Sequence, residues 1–412
     1  MKKIFYMAYY NSTNSGEKRN AVLSSVNKMN YICEALENNG YNTEIVSASG
    51  ATEKKFCKSK KVKLTDKTTL KLFSSLPRLN RIVSVINRVI LKTKLFLYMI
   101  KDTNKDSIVM VYHSLGYMSL VKRLKKLKGF KLIIEAEEIY GDVIGDEKTS
   151  QKEYEFFKIA DAFIFPTELL SEKVNTEKKP EVIIYGTYHI EKEMPKIFSD
   201  GKIHCVYAGT LDPRKGGAAA VEAALFLNGD YHIHILGFGN EKEKAEMLNT
   251  IDNISKKSKA DITYDGLLSG KEYIKFIQSC DIGLSTQNPN AKFNDTSFPS
   301  KILSYMANGL RVVSIRIPAI EKSAVGKFMY YYDEQRPENI AKAIKSIDFS
   351  EEYDRTIELL KESDDIYLKF GADEKVYGID EAEEIASIRK KAIQANLKLI
   401  ECPIRHLGTE EG

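Results

Sequence analysis

Short apolar runs alternate with helical patterns in two successive series along this chain, and this alternation limits the folds that it can adopt. Uninterrupted apolar runs separated by helices are typical of parallel strands buried on both faces. The pattern therefore predicts an α/β protein with two Rossmann-like halves. Predicted strands cover residues 3–10, 40–49, 107–113, 130–138, 161–167, 181–186, 203–209, 231–237, 261–266, 281–286 and 310–315. Predicted helices cover residues 22–36, 218–227, 241–251, 269–279 and 299–307.

The length of 412 residues is too great for one ordinary core and favours two domains. A polar, proline-containing stretch without periodicity, 187–203, separates the two strand series and marks the linker. We therefore expect an N-terminal domain over 1–190 and a second domain over 191–345. The charged residues 346–412 read as C-terminal helices that could pack back across the domain seam.

Composition narrows the class of protein. A hydrophobic content of 43% and a net charge of +5 suit a soluble globular chain and do not by themselves indicate nucleic-acid binding. The five cysteines are far apart and lack Cys-x-x-Cys spacing, which fits a reducing cytoplasm and gives no metal motif. The N-terminus turns polar before a signal-peptide core develops, so we expect a first strand there. The apolar stretch 81–101 is interrupted by three basic residues and is too polar to span a membrane.

Two loops that follow strands of the second half carry lysine. In "AGTLDPRKGG", Gly209 permits a sharp turn and Lys215 precedes the next helix. In "SFPSKILSYMANG", Ser297 or Ser300 can cap a helix whose first turn contains Lys301. Either lysine alone is readily explained as a solvated side chain, but two on neighbouring loops of one sheet favour an anion site. The "LGFGN" turn at Gly237 fits a nucleotide site and an ordinary tight turn almost equally well.

These motifs, in the order "AGTLDPRKGG", "LGFGN", "YDG", "SCDIGLST" and "SFPSKILSYMANGLRVVS", resemble the donor-binding domain of GT-B glycosyltransferases, especially glycosyltransferase family 4. The likeness covers residues 200–345 by motif and the first half by architecture. It implies two Rossmann-like domains facing a cleft. It also implies retaining transfer of a sugar from a nucleotide-diphosphate donor, most commonly a UDP-sugar, without a metal or other cofactor.

The resemblance also assigns site residues. It places Lys215 on the donor diphosphate, puts Thr210 where relatives have arginine or serine, and lets Arg214 supply a second cation. The two glutamates of the family fall on Thr296, near the donor sugar, and Ser304, at the ribose. Hydroxyl groups at these two positions carry no charge, so binding of the donor would depend on other groups of the site. The predicted donor site comprises Gly16, Gly209, Thr210, Arg214, Lys215, Gly237, Thr296, Pro299, Ser300, Lys301, Ile302 and Ser304. Asp295 could replace a lost carboxylate or make an Asx turn.

On the acceptor side, relatives place a histidine or an acid at a strand end of the first domain. Here His113 ends one predicted strand, and Glu135, Glu137 and Glu138 end another. Consecutive acids at a strand exit are also common on solvated edges, and a lone histidine is often structural. We favour Glu137 and His113 as cleft residues because strand carboxyl ends line the cleft. Gly16 could bring the backbone close to the donor or simply turn the chain.

Residues 53–95 contain thirteen lysines and arginines but two acids, a net charge of +11 that exceeds that of the whole chain. Apolar residues at helical spacing between Leu79 and Ile90 are most simply explained as a face packed on its own domain. The surplus of charge favours anionic lipid or a lipid-diphosphate acceptor over nucleic acid.

The sequence thus predicts a glycosyltransferase that uses a lipid-linked or saccharide acceptor in cell-surface polysaccharide assembly. We expect it in the cytoplasm, including the inner face of the plasma membrane. A catalytically silent GT-B partner of another transferase is the alternative, because both family glutamates are replaced.

Overall fold

The structure, a computed structural model, describes residues 3–12, 15–291, 294, 296–323 and 325–350. It divides into two compact units, one running to Ile184 and the other beginning at Tyr185. Each unit is built on a largely parallel sheet with helices between the strands, which confirms the predicted α/β class with two Rossmann-like domains. Asp295 and the predicted C-terminal helices beyond residue 350 lie outside the described residues.

The sheet of the first unit has eight strands in the order β3-β4-β2-β1-β5-β6-β7-β8. They are β1 (Lys3–Ala8), β2 (Asn42–Ser47), β3 (Lys60–Lys63), β4 (Thr68–Leu72), β5 (Ile108–Tyr112), β6 (Lys131–Glu135), β7 (Ala162–Phe165) and β8 (Glu181–Ile183). All neighbours are parallel except β3, which pairs antiparallel with β4 at the edge. The order reverses between β1 and β5, as in a Rossmann sheet, so ligands are expected above the carboxyl ends of these strands.

Among the described residues, six helices lie between the strands of the first unit. They are α1 (Leu23–Asn38), α2 (Arg81–Asp102), α3 (Met118–Lys128), α4 (Tyr140–Ile144), α5 (Glu147–Phe157) and α6 (Glu168–Val174). Met29, Ile32, Cys33 and Leu36 recur at helical spacing on α1 and lie in the core with residues of β1 and β2. The sequence periodicity therefore fixes which side of α1 faces the sheet.

Helix α2 presents a different face to the core from the one the sequence suggested. Its buried residues are Asn87, Leu91, Leu95 and Met99. Of the six apolar residues expected above to form a packed stripe, Val83 and Ile90 are half-buried, whereas Leu79, Ile82, Ile86 and Val89 are exposed, so the expectation is wrong for most of the stripe. Exposed apolar side chains at this end are Leu79 (56%), Ile82 (71%), Val85 (52%), Ile86 (48%) and Val89 (60%). Among the described helices, none is long and apolar enough to cross a membrane.

The second unit contains six parallel strands in the order β11-β10-β9-β12-β13-β14. They are β9 (Ile203–Thr210), β10 (Tyr231–Phe238), β11 (Asp261–Gly266), β12 (Ile282–Ser285), β13 (Arg311–Ile315) and β14 (Met329–Tyr332). The helices are α7 (Gly217–Ala223), α8 (Glu241–Ser255), α9 (Gly270–Gln278), α10 (Lys301–Ala307), α11 (Pro318–Glu321) and α12 (Pro337–Lys345). This is the 3-2-1-4-5-6 order of a Rossmann sheet, and its reversal lies between β9 and β12.

Residues 184–202 have no regular secondary structure, and the boundary between units falls at their start. The segment nevertheless packs on the second unit. The Met194 N–H donates to Gln278 and the Ile197 N–H donates to the Ser279 hydroxyl. The Phe198 ring stacks on His204 with centroids 4.0 Å apart. The stretch read as a linker is therefore largely part of the second unit's surface.

Candidate active site

The loop that follows β9 is fixed by contacts that require glycine. Gly216 has φ +86°, and a Cβ there would lie 1.7 Å from the Thr286 carbonyl oxygen. The Thr286 hydroxyl in turn donates to the Gly216 carbonyl at 2.7 Å. Because Thr286 follows β12, these contacts join the two loops at the reversal point of the sheet. The loop carrying Lys215 is thereby held where a Rossmann sheet binds its ligand.

Lys301, the first residue of α10, is the most unusual charge in the second unit. Its Nζ is buried, finds no hydrogen-bond partner among the described residues, and lies 3.8 Å from the centroid of the Tyr207 ring. Burial, and then repulsion from Lys215, lowers the pKa of Lys301 to about 7. The structure therefore brings the two predicted lysines together. A buried ammonium without an acceptor is a site prepared for an anion.

Gly209 lies beside Lys301, and Gly237 packs against Gly209. A Cβ on Gly209 would lie 3.2 Å from the Lys301 Nζ, and a Cβ on Gly237 would lie 1.7 Å from the Gly209 carbonyl oxygen. Gly237 is therefore explained by close packing of β10 against β9. Thr210 ends β9 with an exposed side chain, and its carbonyl accepts from the Tyr207 hydroxyl at 2.8 Å.

Arg214 does not offer a free cation. Its Nε and Nη2 donate to the two carboxylate oxygens of Asp212 at 3.0 and 2.6 Å. Asp212 also accepts from the Arg214 backbone N–H at 2.9 Å. The pair closes the short turn before Lys215, and the attraction raises the pKa of Arg214. The arrangement favours a role for Arg214 in shaping the loop.

The start of α10 differs from the sequence prediction. The helix begins at Lys301, with Pro299 two residues before it and Ser300 as an N-cap residue that makes no side-chain cap. The Ile302 N–H already donates to the Pro299 carbonyl at 3.0 Å, because the chain turns tightly there. The Ile302 N–H therefore has an acceptor within its own turn, and the placement of Ile302 in the donor site stays a prediction.

The two positions that replace glutamates have different surroundings. Thr296 is 7% exposed, whereas Ser304 on α10 is half-buried. The Ser304 Oγ lies 3.3 Å from the Tyr273 hydroxyl of α9. Tyr273 was not predicted as a site residue, since a tyrosine at helical spacing reads as core. Together the two hydroxyls form a neutral polar pair with both donor and acceptor capacity.

In the first unit, the acids that follow β6 have distinct environments. Glu137 is 24% exposed at its side chain and pairs with the Lys28 Nζ at 2.5 Å, and Lys28 also donates to the Ile184 carbonyl at 3.1 Å. Glu135 is fully buried and accepts from the Tyr6 hydroxyl. Burial and the neighbouring Glu137 raise the pKa of Glu135 to about 8. Only Glu137 of these two offers a reachable carboxylate.

His113, just after β5, is 1% exposed. Its Nε2 lies 2.7 Å from a carboxylate oxygen of Glu153. That carboxylate also accepts from the N–H groups of Tyr140 and Gly141 at 3.0 and 2.7 Å. His113 thus orients the carboxylate that holds the loop between β6 and α4. Gly16 has φ +63° with open space around its α-carbon, which explains it as a turn residue.

A cavity of about 490 Å³ opens at the carboxyl ends of β1, β2 and β5. Its lining includes the side chains of Arg78, Arg88 and Lys92, together with Asn20 and Tyr9. Burial, and then Arg88, lowers the pKa of Lys92. The three basic side chains come from the positively charged stretch 53–95, so this stretch supplies a concave site. The positive charge of this stretch was predictable from the sequence, whereas the cavity was not.

No protein-family model matches the sequence, and a search of curated proteins finds no match. Solved structures match over nearly the whole chain. Sucrose-phosphate synthase from Thermosynechococcus elongatus has a TM-score of 0.66 at 13% identity, covering 98% of this chain and 97% of that chain. An E. coli trehalose-6-phosphate structure bound with UDP-2-fluoro glucose has a TM-score of 0.64 at 11% identity, covering 99% of both chains.

A third match is an α,α-trehalose-phosphate synthase (UDP-forming) from Burkholderia xenovorans in complex with glucose-6-phosphate. Its TM-score is 0.59 at 9% identity, and the match covers 93% of this chain and 100% of that chain. At these identities the likeness is one of fold. The chain has the GT-B fold of these glycosyltransferases, which confirms the fold that the motifs imply.

Proposed function

We propose that this protein is a retaining glycosyltransferase that takes a sugar from a UDP-sugar bound by its second unit. One observation carries the proposal: the Lys301 ammonium is buried, has no hydrogen-bond partner among the described residues, and lies beside Lys215 at the reversal point of a Rossmann sheet. A diphosphate is the anion that this place in such a sheet is suited to accept. The bound UDP-2-fluoro glucose of the E. coli structure supports the choice of donor.

The chemistry follows from the two ammonium groups. As the bond between the sugar and the diphosphate breaks, negative charge grows on the leaving phosphate oxygens. Lys301 and Lys215 stabilise that charge, and burial of the Lys301 Nζ strengthens the effect because water screens it little. The acceptor oxygen then bonds to the sugar carbon on the face from which the diphosphate leaves, and the proton of the acceptor hydroxyl passes to the leaving phosphate oxygen. The reaction then requires no metal at the diphosphate.

The rest of the donor meets uncharged groups. We assign the hydroxyls of Ser304 and Tyr273 to the ribose, in place of the glutamate found there in the family resembled. Neutral hydrogen bonds contribute about 0.5–1.5 kcal/mol each, less than bonds to a carboxylate. Thr296 serves the donor sugar in the same neutral way. Donor affinity would therefore depend on the diphosphate more than on the nucleoside.

The acceptor is assigned to the basic cavity of the first unit. Arg78, Arg88 and Lys92 around a hollow of about 490 Å³ suit a phosphate-bearing molecule. The Burkholderia xenovorans structure holds glucose-6-phosphate, a phosphate-bearing sugar. Glu137 is partly exposed and paired with Lys28, and it would orient the acceptor hydroxyl. His113 would not contact the acceptor; it would hold Glu153 in position.

A lipid-linked acceptor is favoured by the surface beside this cavity. The exposed apolar residues Ile82, Val85 and Val89 on α2 lie on the same helix as Arg88 and Lys92. An exposed apolar face with neighbouring cations suits the surface of an anionic bilayer. The diphosphate of a lipid carrier would enter the cavity while its chain stays in the membrane. Such an enzyme would act at the inner membrane face in cell-surface polysaccharide assembly.

Donor hydrolysis and transfer by the purified chain test the proposal. UDP release from a panel of UDP-sugars should require a polyprenyl-diphosphate-linked sugar and anionic vesicles. Lys301→Met and Lys215→Met should each lower UDP release strongly, whereas Lys242→Met, an exposed lysine of α8, should leave it unchanged. UDP-sugar binding without turnover for any acceptor would instead favour a catalytically silent GT-B partner, the alternative that Thr296 and Ser304 suggest. Failure to bind any UDP-sugar would contradict both.

A further inference from the structure

We propose that the second unit contains a binding site for a divalent transition metal, of the zinc type, made by His204, His232 and His234. The three imidazoles lie on one face of the sheet. In the parallel register His204 of β9 is opposite His232 of β10, and His234 follows two residues later on the same face. The alternation "HIH" in β10 is the sequence signal for this set.

The nitrogen atoms lie close enough to converge on one ion. The His204 Nδ1 and the His234 Nε2 are 2.9 Å apart, and one ring nitrogen from each of the three histidines lies within 4.8 Å of the others. Two imidazole ligands at tetrahedral positions around zinc are separated by about 3.3 Å. The His204 and His234 pair therefore needs to open by about 0.4 Å, and His232 needs to move inward by up to about 1.5 Å, to hold the ion.

The opposite ring nitrogens already have the partners that metal-bound histidines use. The His204 Nε2 lies 2.9 Å from Asp200, and the His234 Nδ1 lies 3.1 Å from Asp265. The His232 Nε2 lies 3.1 Å from the Thr263 hydroxyl. Such contacts select the tautomer that presents the other nitrogen to a metal. The two carboxylates also offset the charge of the cation.

Aromatic rings enclose the set on one side. Phe198 stacks on His204 with centroids 4.0 Å apart, and the Phe276 ring meets His234 edge-on at 5.1 Å. His204 and His234 are buried, while His232 is half-buried and gives access from solvent. Three imidazoles with one open position suit Zn²⁺, Ni²⁺ or Cu²⁺ and not a hard cation.

The site is separate from the donor site. His204 is the second residue of β9 and Thr210 its last, so the two sites lie about 20 Å apart along the strand. The ion would join β9, β10 and the irregular segment that carries Asp200. Its role is therefore structural, and it holds the start of the second unit to the sheet.

Cobalt binding tests this proposal without any nucleotide. Untagged full-length protein, stripped with EDTA, should bind one Co²⁺ per chain with a visible d–d band, and Zn²⁺ should displace it and raise the melting temperature. His232→Gln, at the half-buried position, should abolish the band while circular dichroism stays unchanged. His189→Gln, an exposed histidine outside the set, should retain it. Asp265→Asn should weaken binding by about 10–100-fold.

Two results would overturn the assignment. One is the lack of a saturable Co²⁺ band in the folded wild-type protein. The other is a band that His232→Gln and His234→Gln both leave unchanged. If either result is found, a single proton shared by the His204 Nδ1 and the His234 Nε2 would explain their separation of 2.9 Å.

Discussion

Binding of a UDP-sugar should be accompanied by uptake of a proton at Lys301. The pKa of this lysine is lowered to about 7 by burial and then by Lys215, so near neutral pH half of the free chains carry an uncharged amine there. A diphosphate beside the amine favours the charged form. Because the diphosphate of a nucleotide sugar does not itself titrate near neutrality, the proton measured must enter the protein.

The size of the effect follows from that pKa. Between pH 6 and pH 8 the protonated fraction of Lys301 falls from about nine-tenths to about one-tenth, so the affinity for a UDP-sugar should fall about tenfold. The direction follows from the charge: the affinity for a UDP-sugar is highest below the pKa of Lys301 and falls as pH rises through that pKa. Calorimetry in two buffers of different ionisation enthalpy should give about half a proton per UDP-sugar at pH 7.

Two substitutions separate the contributions. Lys301→Met should remove the proton uptake and weaken binding. Lys215→Met removes the like charge, so it should weaken binding and also move the pH midpoint upward. Lys242→Met, an exposed lysine, serves as the control. Tight binding with no proton uptake at pH 7 and no change between pH 6 and pH 8 would refute the reasoning.

Three further outcomes can be measured. Gly216→Ala should lower the free energy of unfolding by at least about 2 kcal/mol in urea titrations, because the residue has a positive φ and no room for a Cβ. Gly201 also has a positive φ but open space around it, so Gly201→Ala should lower the free energy of unfolding by about 1 kcal/mol. Equal losses of stability in the two variants would contradict the packing argument. Glu135 has a folded pKa of about 8 against an ordinary value of 4.5, so its contribution to stability is full below pH 4.5 and is lost as pH rises to 8. Glu135→Gln should flatten that part of the stability profile, which falls by up to about 1.4 kcal/mol per pH unit, and an unchanged slope would exclude Glu135 as its source. Tyr273→Phe should weaken UDP binding by about 1 kcal/mol in a thermal-shift or calorimetric assay and leave the pH midpoint of UDP-sugar binding unmoved; unaltered affinity would remove Tyr273 from the ribose site.

The strand series was predictable because parallel strands covered on both faces read as apolar runs. "IHCVYAG" and "YHIHILG" appear as β9 and β10 within one residue of expectation. The hairpin of β3 and β4 was missed, since "KKVK" at a sheet edge has one apolar residue and reads as a charged loop. β6 ends at Glu135, three residues earlier than the sequence pattern suggests, so Glu137 belongs to a loop.

The candidate donor site was only partly predictable from the sequence. Lys215 and Lys301 follow from their loops, and the structure brings them together. The burial of the Lys301 Nζ over the Tyr207 ring depends on how β9 and α10 meet, which residue spacing does not contain. The outward face of α2 could not be foreseen either, because its helix carries apolar residues on two sides and only packing selects Leu91 and Leu95 for the core.

The antiparallel strand β3 has a consequence for how copies of this protein behave at high concentration. Its exposed residues Lys61 and Lys63 lie on the outermost strand of the eight-stranded sheet, which pairs only with β4 in the part of the chain that the structure describes. An unpaired strand invites another chain to extend the sheet, and like charges meeting across such a junction repel. At high concentration the positive charge of β3 therefore disfavours fibre-like self-association of copies through this edge.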